Sequence, residues 1–510
     1  MLNFVYIVGG GTFAIKLAKV MTDASIDFEF VDEMSASPLI GKKVHQACNI
    51  PNVSAEFIIA ISHVEHAQRA IDRLCFSGVN RANILALYYE SAANVLEFML
   101  KKDRQKCLYL IENQGGDFKK IEKLFFDNDY KNLYTFEKYC KKIGFYYIGK
   151  GGGFRSHVLG LPKELSETFV VKEFSDQPPH PTALKSYHVM SEQSMLESTW
   201  PDLVINPHFF ECSPAHIPKL TMMHMVYDFL VYKDLVARVM AQPQTHYLFI
   251  PSRPSMELHQ KICRDYNLQN NVVLIPGGYP RLDNSIARLD DSKLSDKKSE
   301  FIIYAPTLSA LMTSSETKYT YSIFDAVEFI PAILAAFPDK QIIFRPHPDD
   351  LSVIKQGIVT KRANAFRQLL KLCDLEPRCH LDSNQSDYIS TFSKARVLIT
   401  DTSAIAYSFA LTTKRPVIFY SADQEKVKQL MPDVAYIKDR EKIGYCVDSI
   451  EQLINTLTNC FNEDNDIEKI EFCEQVVYHR GSSMQYLIDN IEYILTGKKH
   501  PDWWYWLDNC

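Results

Sequence analysis

Residues 398–420, LITDTSAIAYSFALTTKRPVIFY, carry the pattern that decides the fold class. An apolar run ends at a polar turn, a helix-forming stretch follows, and a second apolar run closes the segment. Two strands separated by a helix cannot pair through a tight hairpin, and they therefore predict a parallel sheet with helices on its faces. The segment predicts an α/β protein.

The same alternation of strands and helices extends through the rest of the chain, and the predicted strands fall into three series. Predicted strands lie at residues 4–8, 28–31, 57–61 and 84–87, then at 107–111, 145–148, 203–205, 220–223, 247–250 and 272–275, and finally at 301–304, 341–344, 397–400 and 417–420. A polar stretch at 288–300 has the composition of a linker, and 482–495 has a helical pattern. We predict domains at residues 1–105, 106–295 and 296–480, with a C-terminal helix and Trp-rich tail at 481–510.

Length and composition exclude several classes of protein. The 510 residues correspond to about three domains, and 46% apolar and 23% charged residues are ordinary globular usage, which excludes a disordered or fibrous chain. The net charge of −6, without long runs of one sign, argues against nucleic acid as a partner. The 12 cysteines are scattered singly, which predicts reduced thiols in the cytoplasm and no metal site. We expect no signal peptide and no membrane-spanning segment.

The last ten residues, PDWWYWLDNC, follow Lys498, Lys499 and His500. Aromatic rings beside cations suit a peripheral contact with the inner face of the cell membrane. The alternative is a terminal plug that packs on the protein's own surface. Both interpretations are open at this point.

A glycine-rich turn follows the first predicted strand. Gly9, Gly11 and Ala14 fit G-x-G-x-x-A, and Asp32 lies about 20 residues further on, as in dinucleotide-binding folds. This segment, through FIIAISHVEHAQRAI, also resembles the N-terminal domain of bacterial sugar O- and N-acyltransferases, which bind UDP-sugars, although the β-helix that follows in those enzymes is absent. Gly9, Gly11 and Asp32 are therefore candidate nucleotide-binding residues; the alternative is a Rossmann-like module with an empty crevice.

Polar side chains follow three predicted strands of the third series. Thr307, Arg345, His347, Thr402 and Ser403 all lie just beyond strand ends, where open parallel sheets bind ligands. A guanidinium fork, an imidazole donor, hydroxyl groups and a helix N-terminus all suit phosphate oxygens. Singly, each has a plain structural explanation, namely a surface ion pair, a turn residue or a helix cap. Together they predict a phosphate-binding site.

The middle series contributes a histidine and an arginine. His224 follows an apolar strand, and a histidine in that place is suited to general base catalysis near neutral pH, although a buried structural histidine is the commoner case. Arg281 follows the next strand but one, in a tight turn, and could face a cleft between domains. The loop 149–153, GKGGG, does not match a P-loop, and we interpret it as an acceptor-side or lid loop.

Several motifs, taken in order, resemble one family. MMHMVYD, GGYPRLD, IIYAPT, FRPHPDD, the opening segment and YHRGSS are similar to the CDP-glycerol glycerophosphotransferases, the teichoic-acid polymerases and primases, over about residues 201–494. The resemblance implies a GT-B type pair of Rossmann-like domains with an activated donor in the cleft between them. Here an additional small Rossmann-like domain precedes that pair.

The resemblance also implies roles for individual residues. His224 takes the place of the family's proposed base. His347, with Arg345, takes the place of the segment that contacts the donor pyrophosphate, and Ser403 and Thr402 take the place of the phosphate-binding hydroxyl pair. An acceptor hydroxyl on a glycan or lipid-linked polymer then attacks the distal phosphorus of CDP-glycerol or CDP-ribitol, and CMP leaves. No cofactor and no metal are expected.

Three positions depart from the family pattern. Met223 and Met225 replace a tryptophan and a glycine around His224, and Ala404 replaces a serine. Two other functions therefore stay open. One is a GT-B glycosyltransferase that uses a CMP- or UDP-sugar in capsule or O-antigen synthesis. The other is a non-catalytic scaffold that binds a nucleotide-sugar.

Overall fold

The computed structural model describes most of the chain. The described residues are 4–32, 38–114, 117–127, 141–149, 155–211, 213–227, 233–291, 300–308, 321–355, 357, 359–384, 387–462 and 466–509. Residues 150–153 of the glycine-rich loop, Asp228 of the MMHMVYD motif and most of the predicted linker lie outside them.

The first sheet has five parallel strands in the order β3-β2-β1-β4-β5. Its strands are β1 Phe4–Val8, β2 Asp27–Val31, β3 Val44–His45, β4 Glu56–Ala60 and β5 Ile84–Leu87. The helices of this part of the chain are Thr12–Asp23, Val64–Phe76, Glu90–Lys102, Arg104–Gln114 and Phe118–Phe125.

The strand predicted at 107–111 is wrong, because these residues belong to the helix Arg104–Gln114. Cys107, Leu108 and Ile111 are buried in the same hydrophobic cluster as the first sheet. A short apolar run has the same residue pattern whether it forms a strand or the buried face of a helix. Only packing against the neighbouring helices distinguishes the two.

The second sheet has eight strands in the order β19-β12-β11-β10-β9-β6-β7-β8. They are β6 Lys142–Tyr147, β7 Val170–Ser175, β8 Tyr187–Val189, β9 Leu203–Asn206, β10 Lys219–Met222, β11 His246–Ile250, β12 Val272–Pro276 and β19 Trp504–Tyr505. All neighbours are parallel except β12 and β19. The associated helices are Leu161–Leu165, Glu192–Leu196, Lys233–Met240, Arg253–Asp265, Pro280–Asp291 and Ser483–Thr496.

The third sheet has six parallel strands in the order β15-β14-β13-β16-β17-β18. They are β13 Phe301–Tyr304, β14 Gln341–Phe344, β15 Cys379–Leu381, β16 Ala395–Thr400, β17 Val417–Tyr420 and β18 Gly444–Val447. The helices are Ile323–Ala336, Pro348–Lys355, Lys361–Leu375, Ile389–Lys394, Ile405–Thr413, Gln424–Leu430, Ala435–Lys438, Ile450–Asn462 and Ile467–Gln475.

All three sheets share one topology. Each begins at a central strand, adds its second and third strands on one side, and then reverses to add the fourth on the other side. The reversals lie between β1 and β4, between β6 and β9, and between β13 and β16. This is the doubly wound Rossmann order, in which ligands bind beyond the carboxyl ends of the strands at the reversal. The predicted α/β fold with three Rossmann-like units is confirmed.

The C-terminal segment returns from the third sheet to the second. The helix Ser483–Thr496 and Trp503 join the hydrophobic cluster of the second sheet, and β19 pairs with its edge strand β12. Trp503 and Trp506 are each only 5% exposed, and the Trp506 indole N–H donates to the Leu268 carbonyl at 2.6 Å. The tail therefore packs on the protein itself, and these two rings are unavailable to a bilayer. None of the described helices is both long and apolar enough to cross a membrane.

The first four residues of the predicted linker, 288–291, belong to a helix. The helix Pro280–Asp291 runs through residues 288–291, and the Arg288 guanidinium pairs with the Asp387 carboxylate at 3.0 Å. A charged, solvent-facing helix end has the same composition as a linker, which explains the error. The division of the chain at residues 105, 295 and 480 stays a prediction.

Candidate active site

A cavity of about 270 Å³ lies between the carboxyl ends of the second and third sheets. His224 and Arg281 line it from the second sheet's side, and Arg345, His347 and Ser403 line it from the third sheet's side. The structure therefore brings five of the predicted site residues into one cleft.

Strand ends place these residues at the cavity. His224 lies two residues beyond β10, Arg345 follows β14 directly, and Ser403 lies between β16 and the helix Ile405–Thr413. Because the carboxyl ends of parallel strands share one edge of a sheet, each sheet presents its polar turns together. The two edges face each other across the cleft.

Aromatic contacts hold the two sides of the cleft together. The Tyr227 ring stacks on Tyr407 with centroids 3.9 Å apart, and its hydroxyl donates to the Asp439 carboxylate at 3.1 Å. The Arg281 guanidinium lies over the Tyr388 ring, 5.2 Å from its centroid. Since Tyr227 and Arg281 belong to the second sheet's side and their partners to the third's, these contacts fix the width of the cavity.

Arg345 is a part-buried, oriented cation. Its side chain is only 10% exposed, and Nη1 pairs with the Asp382 carboxylate, which lies at the end of β15. The ion pair named as the plain structural explanation is present, and it is part-buried in the cavity wall. A guanidinium has five N–H donors in a fixed fork, so the contact with Asp382 sets its direction and leaves further donors for an anion.

His347 presents a neutral imidazole to the cavity. Its Nδ1 accepts the backbone N–H of Asp349 at 3.2 Å, and burial lowers the pKa of His347 below its ordinary value. In the neutral ring the proton must therefore lie on Nε2, which becomes the donor toward a ligand. The carbonyl of His347 accepts the Asp350 N–H at 3.0 Å, so the residue also stands at the start of the helix Pro348–Lys355.

A buried carboxylate braces the turns after β13 and β16. Asp401 Oδ1 accepts the backbone N–H groups of Thr307 at 2.9 Å and Thr402 at 2.7 Å, and Oδ2 accepts the Ser322 N–H at 2.9 Å. Thr307 and Thr402 are thus held through their backbones, and neither is among the residues that line the cavity. Their assignment as phosphate ligands stays a prediction.

His224 lies in a group of imidazoles on the opposite wall. Its ring centroid is 4.1 Å from that of His208 and 6.3 Å from that of His157. Burial, then His208 and Arg281, lowers the pKa of His224 to about 3, and burial lowers that of His208 to about 4. Both rings are therefore neutral at physiological pH, and neutral imidazole can accept a proton.

Four further residues contribute to this site: Asp382 and Tyr279 line the cavity, and His208 and His157 lie beside His224. His208 lies two residues beyond β9 and Asp382 follows β15, so the rule used for Arg345 could have found both once those strand ends were located. Tyr279 stands beside Arg281 in the same turn. His157 follows no strand, and the tertiary structure alone brings it to His224.

The described geometry agrees with a family match. The model of the CDP-Glycerol:Poly(glycerophosphate) glycerophosphotransferase family matches residues 222–493, more than half of the chain. This chain belongs to that family. The match contains His224, Arg281, Arg345, His347 and Ser403. No curated protein sequence matches the chain.

Solved structures share the fold at low sequence identity. The wall teichoic acid polymerase TagF is 16% identical, with a TM-score of 0.48 over 79% of this chain and 99% of that one. A histidine-to-alanine variant of TagF is 17% identical, with a TM-score of 0.50 and the same coverage. A UDP-GlcNAc 2-epimerase from Neisseria meningitidis bound to UDP-GlcNAc is 13% identical, with a TM-score of 0.45 over 69% of this chain and all of that one. At such identities the likeness is one of GT-B-like fold.

Two of the sequence motifs meet at a structural joint. Asp283 of GGYPRLD accepts the backbone N–H groups of Gly481 at 2.7 Å and Ser483 at 2.9 Å, both from YHRGSS. It thereby caps the helix Ser483–Thr496 from another helix. Gly278 has φ +95°, and a Cβ there would lie 2.3 Å from the Tyr478 carbonyl oxygen. These motif residues therefore hold in place the segment through which the chain returns to the second sheet.

The glycine-rich turn of the first sheet is tightly packed. Gly9 has φ +121°, and a Cβ there would lie 3.0 Å from the Ala60 carbonyl oxygen. A Cβ on Gly10 would lie 2.5 Å from an Asp32 carboxylate oxygen, whereas Gly11 has nothing within 4 Å of that position. The positive φ and the close packing thus explain why residue 9 is a glycine. Nucleotide binding by Gly9, Gly11 and Asp32 stays a prediction.

Among the residues that the structure describes, no three His, Cys, Asp or Glu side chains are arranged to hold a metal ion. The expectation of chemistry without metal or cofactor stays a prediction, because a cation can also enter with the diphosphate of a donor.

Proposed function

We propose that this protein transfers glycerol phosphate or ribitol phosphate from a CDP-activated donor to a hydroxyl group of a cell-surface glycan or polyol-phosphate polymer, and releases CMP. The observation that carries the proposal is the cavity between the carboxyl ends of the second and third sheets. It sets the neutral imidazole of His224 on one wall opposite Arg345, His347 and the helix start at Ser403 on the other.

The third sheet's wall suits the diphosphate of the donor. Arg345 supplies a charged fork, His347 a neutral Nε2–H donor, and the helix Ile405–Thr413 the positive end of its dipole behind Ser403. As CMP leaves, negative charge grows on its phosphate. Preorganised donors stabilise that charge, and such stabilisation is the main contribution that proteins make to phosphoryl transfer.

His224 suits the removal of the acceptor's proton. Its pKa of about 3 reflects the protein groups alone, with burial and the neighbouring Arg281 disfavouring the charged ring. A diphosphate in the same cavity is a nearby opposite charge and raises that pKa. Donor binding thus makes His224 a more effective base. The acceptor oxygen then bonds to the distal phosphorus, the phosphorus–oxygen bond to CMP breaks, and the proton passes to His224.

The test is product analysis with a panel of donors. The purified protein is incubated with CDP-glycerol, CDP-ribitol, CMP-sugars and UDP-sugars, together with polyol-phosphate oligomers and glycans as acceptors. We expect CMP release from a CDP-polyol, and a new phosphodiester in the ³¹P NMR spectrum of the product. A glycosidic product from a sugar nucleotide would instead establish the glycosyltransferase. No product from any donor, despite nucleotide binding, would establish the scaffold.

The His224→Ala variant tests the assigned base. Removal of a general base costs about 10²–10⁴ in rate. His216→Ala is the control, because His216 is an exposed histidine that precedes the same strand and does not line the cavity. Near-normal turnover of His224→Ala at saturating donor would refute the role of His224 as base.

A further inference from the structure

A chain of hydrogen bonds connects three side chains behind the cavity wall. Arg281 Nη1 lies 3.4 Å from His157 Nε2, and His157 Nδ1 lies 3.0 Å from the Tyr279 hydroxyl. That hydroxyl donates to the backbone carbonyl of His224 at 2.7 Å. Arg281, Tyr279 and His224 line the cavity, whereas His157 does not.

The hydrogen-bonding groups allow only one direction of proton donation along this series of hydrogen bonds. A carbonyl oxygen only accepts, so the single hydroxyl proton of Tyr279 goes to His224, and the hydroxyl oxygen must accept from His157 Nδ1. His157 therefore carries its proton on Nδ1 and has a lone pair on Nε2. A guanidinium only donates, so Nε2 accepts from Arg281. The contacts select one tautomer of His157.

Burial keeps His157 in that neutral form. The residue is 3% exposed, and burial, followed by the charge of Arg281, lowers its pKa well below the ordinary value. A protonated ring would have no lone pair for Arg281 and would repel it. The neutral ring is the form that can hold the guanidinium.

A second contact fixes the other side of the guanidinium. Arg281 lies over the Tyr388 ring, and the Tyr388 hydroxyl is 2.8 Å from Ser285 Oγ. Arg281 is thus held between His157 and Tyr388 while it lines the cavity. It also lies near enough to His224 to contribute to the lowered pKa of that base. A phosphate that meets Arg281 would therefore be the one nearest the attacking hydroxyl.

We propose that His157 is a positioning residue that holds the Arg281 guanidinium against the phosphoryl group being transferred. This inference rests on the proposed function. Its consequence is that His157 acts on the transfer step through Arg281, and through Tyr279 it also steadies the backbone of His224. The change in turnover should therefore exceed the change in donor binding.

Kinetics of four variants test the inference. We expect His157→Leu to lower kcat for a CDP-polyol by about 10- to 100-fold, the value of a hydrogen bond to a charged group, with KM changed much less. His157→Gln should stay within about threefold of wild type, because an amide offers one donor and one acceptor, as the neutral ring does. In the Arg281→Ala background, adding His157→Leu should change kcat by less than about twofold.

Opposite kinetic results would overturn the inference. One is a His157→Gln variant as impaired as His157→Leu while both unfold at the wild-type temperature. The other is a full additional loss when His157→Leu is added to Arg281→Ala, since independent effects would then multiply.

A spectroscopic measurement tests the same geometry without turnover. In protein labelled with ¹⁵N-histidine, the His157 signals are assigned by their loss in His157→Gln. We expect the Nδ1–H tautomer near pH 7, and the Nε2–H tautomer or a charged ring would refute the inference. If the wild type releases no CMP from any donor, the proposed function fails by itself, and the tautomer still reports on the hydrogen-bond chain.

Discussion

The crevice of the first sheet and the cavity at the third sheet arise from the same strand order but are lined differently. At the reversal between β1 and β4, the turn after β1 packs closely on the Ala60 carbonyl and on the Asp32 carboxylate. At the reversal between β13 and β16, Asp401 draws the turns together through backbone N–H groups. Arg345 stands at the cavity beside that reversal.

Topology supplies a crevice, and side chains decide its use. Asp32 follows β2, the neighbour of β1, and Asp401 follows β16, which borders a reversal, and the two carboxylates act on different groups. Asp401 is buried and accepts several backbone donors, so it serves as a brace. Asp32 is only partly buried, and its carboxylate lies against Gly10 of the glycine turn.

The largest expected difference between the two regions is in catalysis. Arg345→Ala should lower kcat/KM for the CDP-polyol by about 10²–10³, the usual cost of removing one preorganised donor to a developing negative charge. Gly11→Ala in the first crevice should change it by less than about twofold. CMP release measures both variants. An equal loss in the two variants would show that the first crevice takes part in the reaction.

The two aspartates should differ in their contribution to stability. Asp401→Asn replaces an acceptor oxygen by a donor beside buried N–H groups, and we expect the free energy of unfolding to fall by about 3 kcal/mol. Asp32→Asn should lower it by less than about 1 kcal/mol, since the residue is partly exposed. Urea unfolding gives both values. Similar losses of unfolding free energy in the two variants would contradict the assignment of Asp401, and not Asp32, as the brace.

Substitution of the two glycines in the first crevice should change stability by different amounts, because Gly9 is closely packed and Gly11 faces open space. Gly9→Ala places a side chain at φ +121° and against the Ala60 carbonyl oxygen, and we expect a loss of about 1–2 kcal/mol. Gly11→Ala meets open space and should cost about 0.5 kcal/mol, because the N-cap of the helix Thr12–Asp23 favours glycine over alanine. Thermal unfolding of the two variants makes the comparison. A larger loss at Gly11 would indicate that the turn is held differently.

The stability of the protein should also depend modestly on pH through the imidazole of His208, which lies beside His224. The pKa of His208 falls from 6.5 to about 4 on folding, so the unfolded chain binds the proton more readily. The stabilisation that follows is complete above pH 6.5 and is lost as the pH falls toward 4. We expect a smaller loss over this range in His208→Asn. Equal slopes in the two proteins would contradict the burial of His208.

Much of the fold followed from local patterns. The strands at 4–8, 84–87, 301–304, 341–344 and 417–420 lie where the apolar runs predicted them. The pattern failed at 107–111 and at 288–291, where an apolar helix face resembles a strand and a charged helix end resembles a linker. At 107–111 the deciding interaction is packing against the neighbouring helices, and at 288–291 it includes the pairing of Arg288 with Asp387 from another part of the chain.

The sequence by itself determined the parallel α/β architecture and the polar strand ends, because hydrophobic periodicity and turn composition act over short distances. Only the tertiary structure decided which strand ends share a cavity, because that depends on how two sheets face each other. It also decided that the terminal tryptophans pack on the second sheet, and that Asp283 caps a helix some 200 residues away. Such contacts depend on the folded path of the chain, which no local pattern encodes.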